Sequence, residues 1–221
     1  MVWVVGLAGC DDEGPSLRNA VRAGDASAVK ELAGRNPSLV NRPDENGDML
    51  LQLAVELGHA GVVRALCEAG ADVNYSRGRI GNPLQHAAYY GPPEVLVALL
   101  DHGADIEWRS PNERSVKAGT PLCMAAGAGD PETLRVLLQR GASTTPKLGA
   151  MPVPPLHYAL DSIRPRGSRA DVVRLLLEAG ADPNARDWNG QTPLQAAKVL
   201  GDDLSEAREI MDLLRKHGAK E

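Results

Sequence analysis

The sequence predicts an all-α fold: a solenoid of stacked helix-turn-helix units joined by β-hairpin-like fingers. The first observation behind this is a phased glycine. The segment Leu66-Cys67-Glu68-Ala69-Gly70-Ala71-Asp72 returns as Leu99-Leu100-Asp101-His102-Gly103-Ala104-Asp105 and again around Gly141, Gly180 and Gly218, with spacings of 33, 38, 39 and 38 residues. The second is a Pro-Leu signature ahead of each glycine. Asn82-Pro83-Leu84-Gln85-His86-Ala87-Ala88 matches the segments opening at Thr120, Pro154 and Thr192, with a degenerate copy at Met49–Ala54. The signature precedes its glycine by 21 residues in three units and by 26 in the last two. The third is composition. Phe is absent and aromatics are 3% of 221 residues, so Leu, Val and Ala must build the core, which suits close-packed helices.

Each unit follows from local chemistry. Thr or Asn before Pro starts a helix, because the side chain caps free amides and the proline ring lacks an N–H where none is needed. Leu, Ala and Ala then form a narrow apolar stripe. Gly58, Gly91, Gly129 and Gly201 are placed to end this helix. A second helix carries Val62, Val63 and Leu66, then Val95, Leu96 and Leu99, Leu134, Leu137 and Leu138, Val172, Val173 and Leu176, and Ile210, Met211 and Leu214. Leu17, Ala20 and Val21, then Ala28, Val29 and Leu32, mark a divergent first unit. No unit buries its helices alone, so the units must stack.

These two motifs, recurring in phase, resemble the ankyrin-repeat family, whose signature is T-P-L-H-x-A. The resemblance covers residues 14–221, in units of about 14–43, 44–76, 77–114, 115–148, 149–186 and 187–221. It implies a stack whose first helices and fingers line a concave groove and whose second helices form the convex back. It further implies a non-enzymatic module that binds another protein through finger tips and first-helix ends. On this chain those are Tyr75, Arg77, Arg79, Trp108, Arg109, Lys117, Trp188, Asn189 and Gln191 in the fingers, and Glu56, Leu57, Tyr89, Tyr90, Asp161 and Ser162 at the helix ends. Trp, Tyr and Arg dominate interface hot spots, and this chain places most of its few aromatics in these positions. Bracing of each hairpin by its own Trp is the alternative for Trp108 and Trp188.

Residues 1–13 form a separate segment. Leu7-Ala8-Gly9-Cys10 before Asp11-Asp12-Glu13 resembles the lipobox of bacterial lipoproteins, which implies lipidation of Cys10 and a membrane-anchored protein facing the periplasm or exterior. The segment departs from a secretory leader in that nine residues precede Cys10 and none is basic. An apolar strand or tail packed on the first unit is the other reading, and it would leave the protein cytoplasmic.

Other chemistry lacks support in the sequence. A formal charge of −5 argues against a nucleic-acid partner. Three Cys without a Cys-x-x-Cys pair form neither a disulfide framework nor a zinc site. No phosphate loop, nucleophile elbow or metalloprotease motif occurs, so no cofactor, metal or catalytic residue is assigned. Cys67 and Cys123 sit in helical stripes as small buried hydrophobes. Insertions fall at 109–119, 163–168 and 201–206, where drift and partner binding are both open. In the last, Asp203 and Glu206 are spaced as a capping box. The alternative functions are an inhibitor or immunity protein plugging a partner enzyme, a hydrolase using His157 and Asp161, and an anion binder using the basic fingers.

Overall fold

The computed structural model describes residues 16–44, 46–76, 81–109, 119–146, 153–161, 165–199 and 204–220. Cys10, Arg77, Arg79, Lys117 and Ser162, with most of the insertion at 109–119, lie outside them. Among the described residues are twelve α-helices and no strand. They follow one another as pairs: α1 (Leu17–Ala23) and α2 (Ala26–Arg35), α3 (Leu50–Glu56) and α4 (Ala60–Glu68), α5 (Pro83–Tyr90) and α6 (Pro93–Asp101). Then come α7 (Pro121–Ala128) and α8 (Pro131–Gln139), α9 (Pro155–Leu160) and α10 (Arg169–Glu178), and α11 (Pro193–Ala197) and α12 (Leu204–Lys216). Each first helix packs on the next first helix and each second helix on the next second helix, giving two parallel rows.

Predicted caps form where the side chain allows. Asn82, Thr120 and Thr192 each accept a hydrogen bond from the amide three residues on, and Thr192 with Gln195 closes a capping box. Met49 and Pro154 stand at the same point in their units and provide no side-chain cap. The core runs unbroken through both rows. Val62, Val63, Leu66, Leu96, Leu99, Leu134, Leu137, Val173, Leu176 and Leu214 are fully buried. Each large aliphatic withdrawn from water in this way contributes about 1.5–3 kcal/mol. The row of first helices is built largely from Ala and small residues (Ala54, Ala87, Ala88, Ala125, Ala126, Ala159, Ala197), which lets neighbouring helices approach closely.

The glycines that close the second helices need their conformation, not space. Gly70, Gly103, Gly141, Gly180 and Gly218 all have φ between 83° and 92°, and a Cβ on any of them would meet nothing within 4 Å. Gly91 ends α5 as expected, but in a different conformation from its counterparts. Gly58 and Gly129 end their helices at φ 73° and 64°, but Gly91 is extended at φ −84°, ψ 162°. Pro92 follows it, and the ring disfavours helical conformations in the preceding residue.

The fingers are hydrogen-bonded turns. In Asp44-Glu45-Asn46-Gly47-Asp48, Asp44 Oδ1 accepts from the amides of Asn46 (2.9 Å) and Asp48 (2.8 Å). Asp187-Trp188-Asn189-Gly190-Gln191 repeats this, with 2.9 Å from the Asn189 amide and 2.8 Å from the Gln191 amide. An Asp side chain pinning the amides two and four residues on makes a compact tip, and in the second of these fingers Trp188 is exposed.

Neighbouring pairs are also clamped by one recurring side chain. Asn41 donates to Gly70 O (2.8 Å) and accepts from the Asp72 amide (2.9 Å). Asn74 makes the same pair of bonds to Gly103 O and the Asp105 amide, and Asn184 makes them to Gly218 O and the Lys220 amide. Glu107 stands at this position in the third pair and only accepts, from the Ser143 amide at 2.7 Å. Thr145 stands there in the fourth pair. It lines a cavity of about 240 Å³ between the fourth and fifth pairs, together with Pro154, Pro155, Leu156, Ala181 and Asp182.

Candidate interaction surface

Several first helices expose side chains at their C-terminal ends. On α5 that turn is Tyr89-Tyr90, whose ring centroids lie 4.5 Å apart edge to face. The His86 ring is 4.9 Å from that of Tyr90, one helical turn earlier. Tyr89 and Tyr90 are 38% and 52% exposed. Gly127 occupies the equivalent position on α7. A Cβ there would come within 3.4 Å of Tyr158 on α9 and 3.8 Å of Tyr89, so the missing side chain leaves room for two aromatic rings from either side.

Among the described residues the large hydrophobic side chains that remain exposed are Leu57, Tyr89, Tyr90, Trp188 and Val199. Leu57 caps α3, the tyrosines end α5, Val199 follows α11 and Trp188 is a finger tip. None lies on a second helix. Val199 was not singled out in the sequence. Its register, eight positions into its signature like Glu56, Tyr89, Gly127 and Asp161, is the signal that marks it.

The remaining predicted residues fall into two groups. Glu56, Asp161, Asn189 and Gln191 are exposed, whereas Tyr75, Trp108 and Arg109 are half-buried. Trp188 is 55% exposed.

His157 is committed to the packing of the repeats. The His157 ring is buried and its Nε2 donates to Gln191 O at 2.9 Å, holding the next finger. Burial keeps its pKa below the ordinary 6.5, against the opposing pull of the Gln191 carbonyl, Asp187 and Asp161. Its Nδ1 is buried without a hydrogen-bond partner. At the corresponding places Thr120 Oγ1 donates to Cys123 Sγ and the Thr192 amide donates to Gln195 Oε1, but Pro154 offers His157 neither a hydroxyl nor an N–H. Partial burial pushes Asp161 up from 3.8, with His157 acting the other way. Gln85 performs on Gly119 what His157 performs on Gln191, donating from Nε2 to the carbonyl just before the next signature at 2.5 Å.

The two described thiols are buried, and burial pushes both up to about 11. Glu68 adds to the shift at Cys67, while Thr120 opposes it at Cys123. A thiol so far above neutrality is a poor nucleophile. No cluster of His, Cys, Asp and Glu that could hold a metal ion occurs among the described residues. None of the described helices is long and apolar enough to cross a membrane.

The comparisons with known proteins agree with this geometry. A family model of ankyrin repeats in three copies matches residues 17–110 and 107–187. An ankyrin repeat domain from Acinetobacter baumannii superposes with a TM-score of 0.78 at 31% identity, covering 94% of this chain and all of that one. A second solved ankyrin repeat protein gives a TM-score of 0.75 at 26% identity, covering 93% of this chain and 98% of that one. Among curated proteins, the ankyrin repeat and SAM domain-containing protein 6 of Mus musculus is 36% identical over 99 residues, 44% of this chain but 11% of the mouse protein. The regulatory protein NPR5 of Arabidopsis thaliana is 40% identical over 103 residues, 45% of this chain and 19% of that protein. The chain thus spans a small part of these larger relatives. With the family model matched across most of its length and its helices stacked in two rows, the chain belongs to the ankyrin-repeat family.

Proposed function

We propose that this chain is a non-enzymatic module of six repeats that grips another protein along its first-helix row and finger tips. The supporting observation is the one-sidedness of the exposed apolar surface among the described residues. Leu57, Tyr89, Tyr90, Trp188 and Val199 all belong to first-helix ends or a finger, and the described large apolar side chains of the second helices are buried or partly buried. Exposed apolar side chains confined to one edge of a folded protein mark a contact surface. Tyr89 and Tyr90 form its centre, with Glu56 and Asp161 on either side along the row; the basic fingers Arg77, Arg79 and Lys117 extend it from the sequence alone. A tether through Cys10 and the plugging of a partner enzyme are finer versions of the same reading. Both rest on the sequence, and intact mass of the chain purified from its own host tests the first.

The test compares cross-linked partners of the full chain with those of two variants. Tyr89→Ala/Tyr90→Ala removes the proposed centre. Arg64→Ala/Arg135→Ala alters exposed residues of α4 and α8 on the second-helix row. The first variant is expected to lose partners that the second retains. Identical capture by wild type and the tyrosine variant would sink the proposal.

A further inference from the structure

Repeat solenoids are ordinarily held together between nearest neighbours, so that stability is a sum of units and their adjoining interfaces. The insertion in the fifth pair departs from that. Its described part, residues 165–168, lies across the turns of two earlier pairs. The Arg166 amide donates to Ala128 O at 2.9 Å, in the fourth pair. The Arg166 guanidinium continues to the third pair, where Nη1 donates to Gly91 O at 3.1 Å and Nη2 to Tyr90 O at 2.6 Å. Those carbonyls close the C-terminus of α5, where the helix lacks internal donors and its dipole favours a cation. On the way, Nη1 passes 3.5 Å from Asp130 Oδ2, the side chain that caps α8.

Shape supports the same path. Gly129 turns at φ 64°, and a Cβ on it would stand 2.3 Å from Pro165 Cβ. A Cβ on Gly167 would stand 3.0 Å from Pro131 Cδ. Two glycines, one in each strand of this contact, let the insertion lie flush on the fourth pair. Beyond it, Ser168 caps α10, and Glu206 of α12 accepts from the amides of Arg169 (2.8 Å) and Ala170 (3.4 Å). The segment is therefore held at both ends.

We infer that residues 165–167 form a strap that locks the third, fourth and fifth helix pairs into one cooperative block. It fixes the angle between pairs that do not otherwise adjoin, and it fixes the backbone beneath Tyr89 and Tyr90. It also spans the junction where the Asn clamp is replaced by Thr145 and a cavity opens. The inference is independent of any partner and stands or falls on the free protein.

Hydrogen exchange on the full chain tests it. In Arg166→Ala, amides of α5 and α6 are expected to exchange about tenfold faster, the effect of losing charge-assisted hydrogen bonds. Those of α2 and α4 should keep their wild-type rates. Arg166→Lys retains the charge beside Asp130 but not the fork across two carbonyls, so it should fall between. Arg174→Ala is the control. It removes a pair with Glu209 between adjacent helices α10 and α12, and should leave α5 and α6 protected. Unchanged protection of α5 and α6 in Arg166→Ala would overturn the inference, as would a uniform loss reaching α2 and α4.

Discussion

The Glu206 carboxylate lies 2.8 Å from the amide nitrogen of Arg169, so the first turn of α10 is capped by the helix pair that follows it. Spacing predicts for Glu206 a local box with Asp203, which lies outside the described residues. Among the described residues its side chain reaches a neighbouring helix. Two amides share one charged acceptor there, and Ser168 takes the Asp171 amide.

Glu206→Gln keeps an acceptor and should cost under about 1 kcal/mol, whereas Glu206→Ala strips two amides and should cost about 1–2 kcal/mol. Urea unfolding measures the difference. An Ala variant as stable as wild type would show that water replaces the carboxylate at no expense.

The Asn clamp predicts opposite effects at two junctions. Asn74→Ala leaves Gly103 O and the Asp105 amide without their bridge, and should lower stability by about 1–2 kcal/mol. Thr145→Asn introduces the missing clamp, with Gly180 O and the Asp182 amide as the expected partners. It should raise stability by about 1 kcal/mol and reduce the cavity between the fourth and fifth pairs. Thermal melts of the two variants should shift in opposite directions.

His157 predicts a pH dependence. Burial lowers its pKa in the folded chain below the 6.5 of the unfolded one. The unfolded state therefore binds the proton more readily. The contribution of neutral His157 is complete above pH 6.5 and is lost as pH falls through the folded pKa. Asp161 works with the opposite sign: its raised pKa favours the folded chain below 3.8, and that advantage fades as pH rises through the folded value. In His157→Gln the bond to Gln191 O can persist, as Gln85 makes it to Gly119, while the titrating ring is gone. Stability between pH 5 and 7 should then become flatter than in wild type. A variant with an unaltered pH profile would place the titration elsewhere.

Much of the architecture is legible along the chain because its determinants are local. A glycine at positive φ, a Thr or Asn three residues before the amide it caps, and a Leu-Val stripe at helical spacing each act within one turn. Gly91 stops its helix as its place in the unit predicts, and the adjacent Pro92 accounts for its extended rather than left-handed conformation. The surface is less legible. Trp188 and the Tyr89-Tyr90 pair stand out as aromatics in a chain nearly devoid of them, yet Val199 looks like another helix residue. Arg166 and Glu206 are harder still. Their partners lie 75–76 and 36–37 residues away, and no periodicity relates a long side chain to a carbonyl two helix pairs off or to an amide one pair off.

A stack in which every piece touches only the adjoining pieces can be shortened or lengthened by whole pieces. Here that freedom ends at Pro165 and Arg166. Excising the fifth pair would withdraw a donor from the carbonyls that close α5 and remove the socket into which Glu206 fits, so both flanks would be damaged by one deletion. Any attempt to transplant or shuffle these repeats must therefore move the third to the sixth as a single cassette.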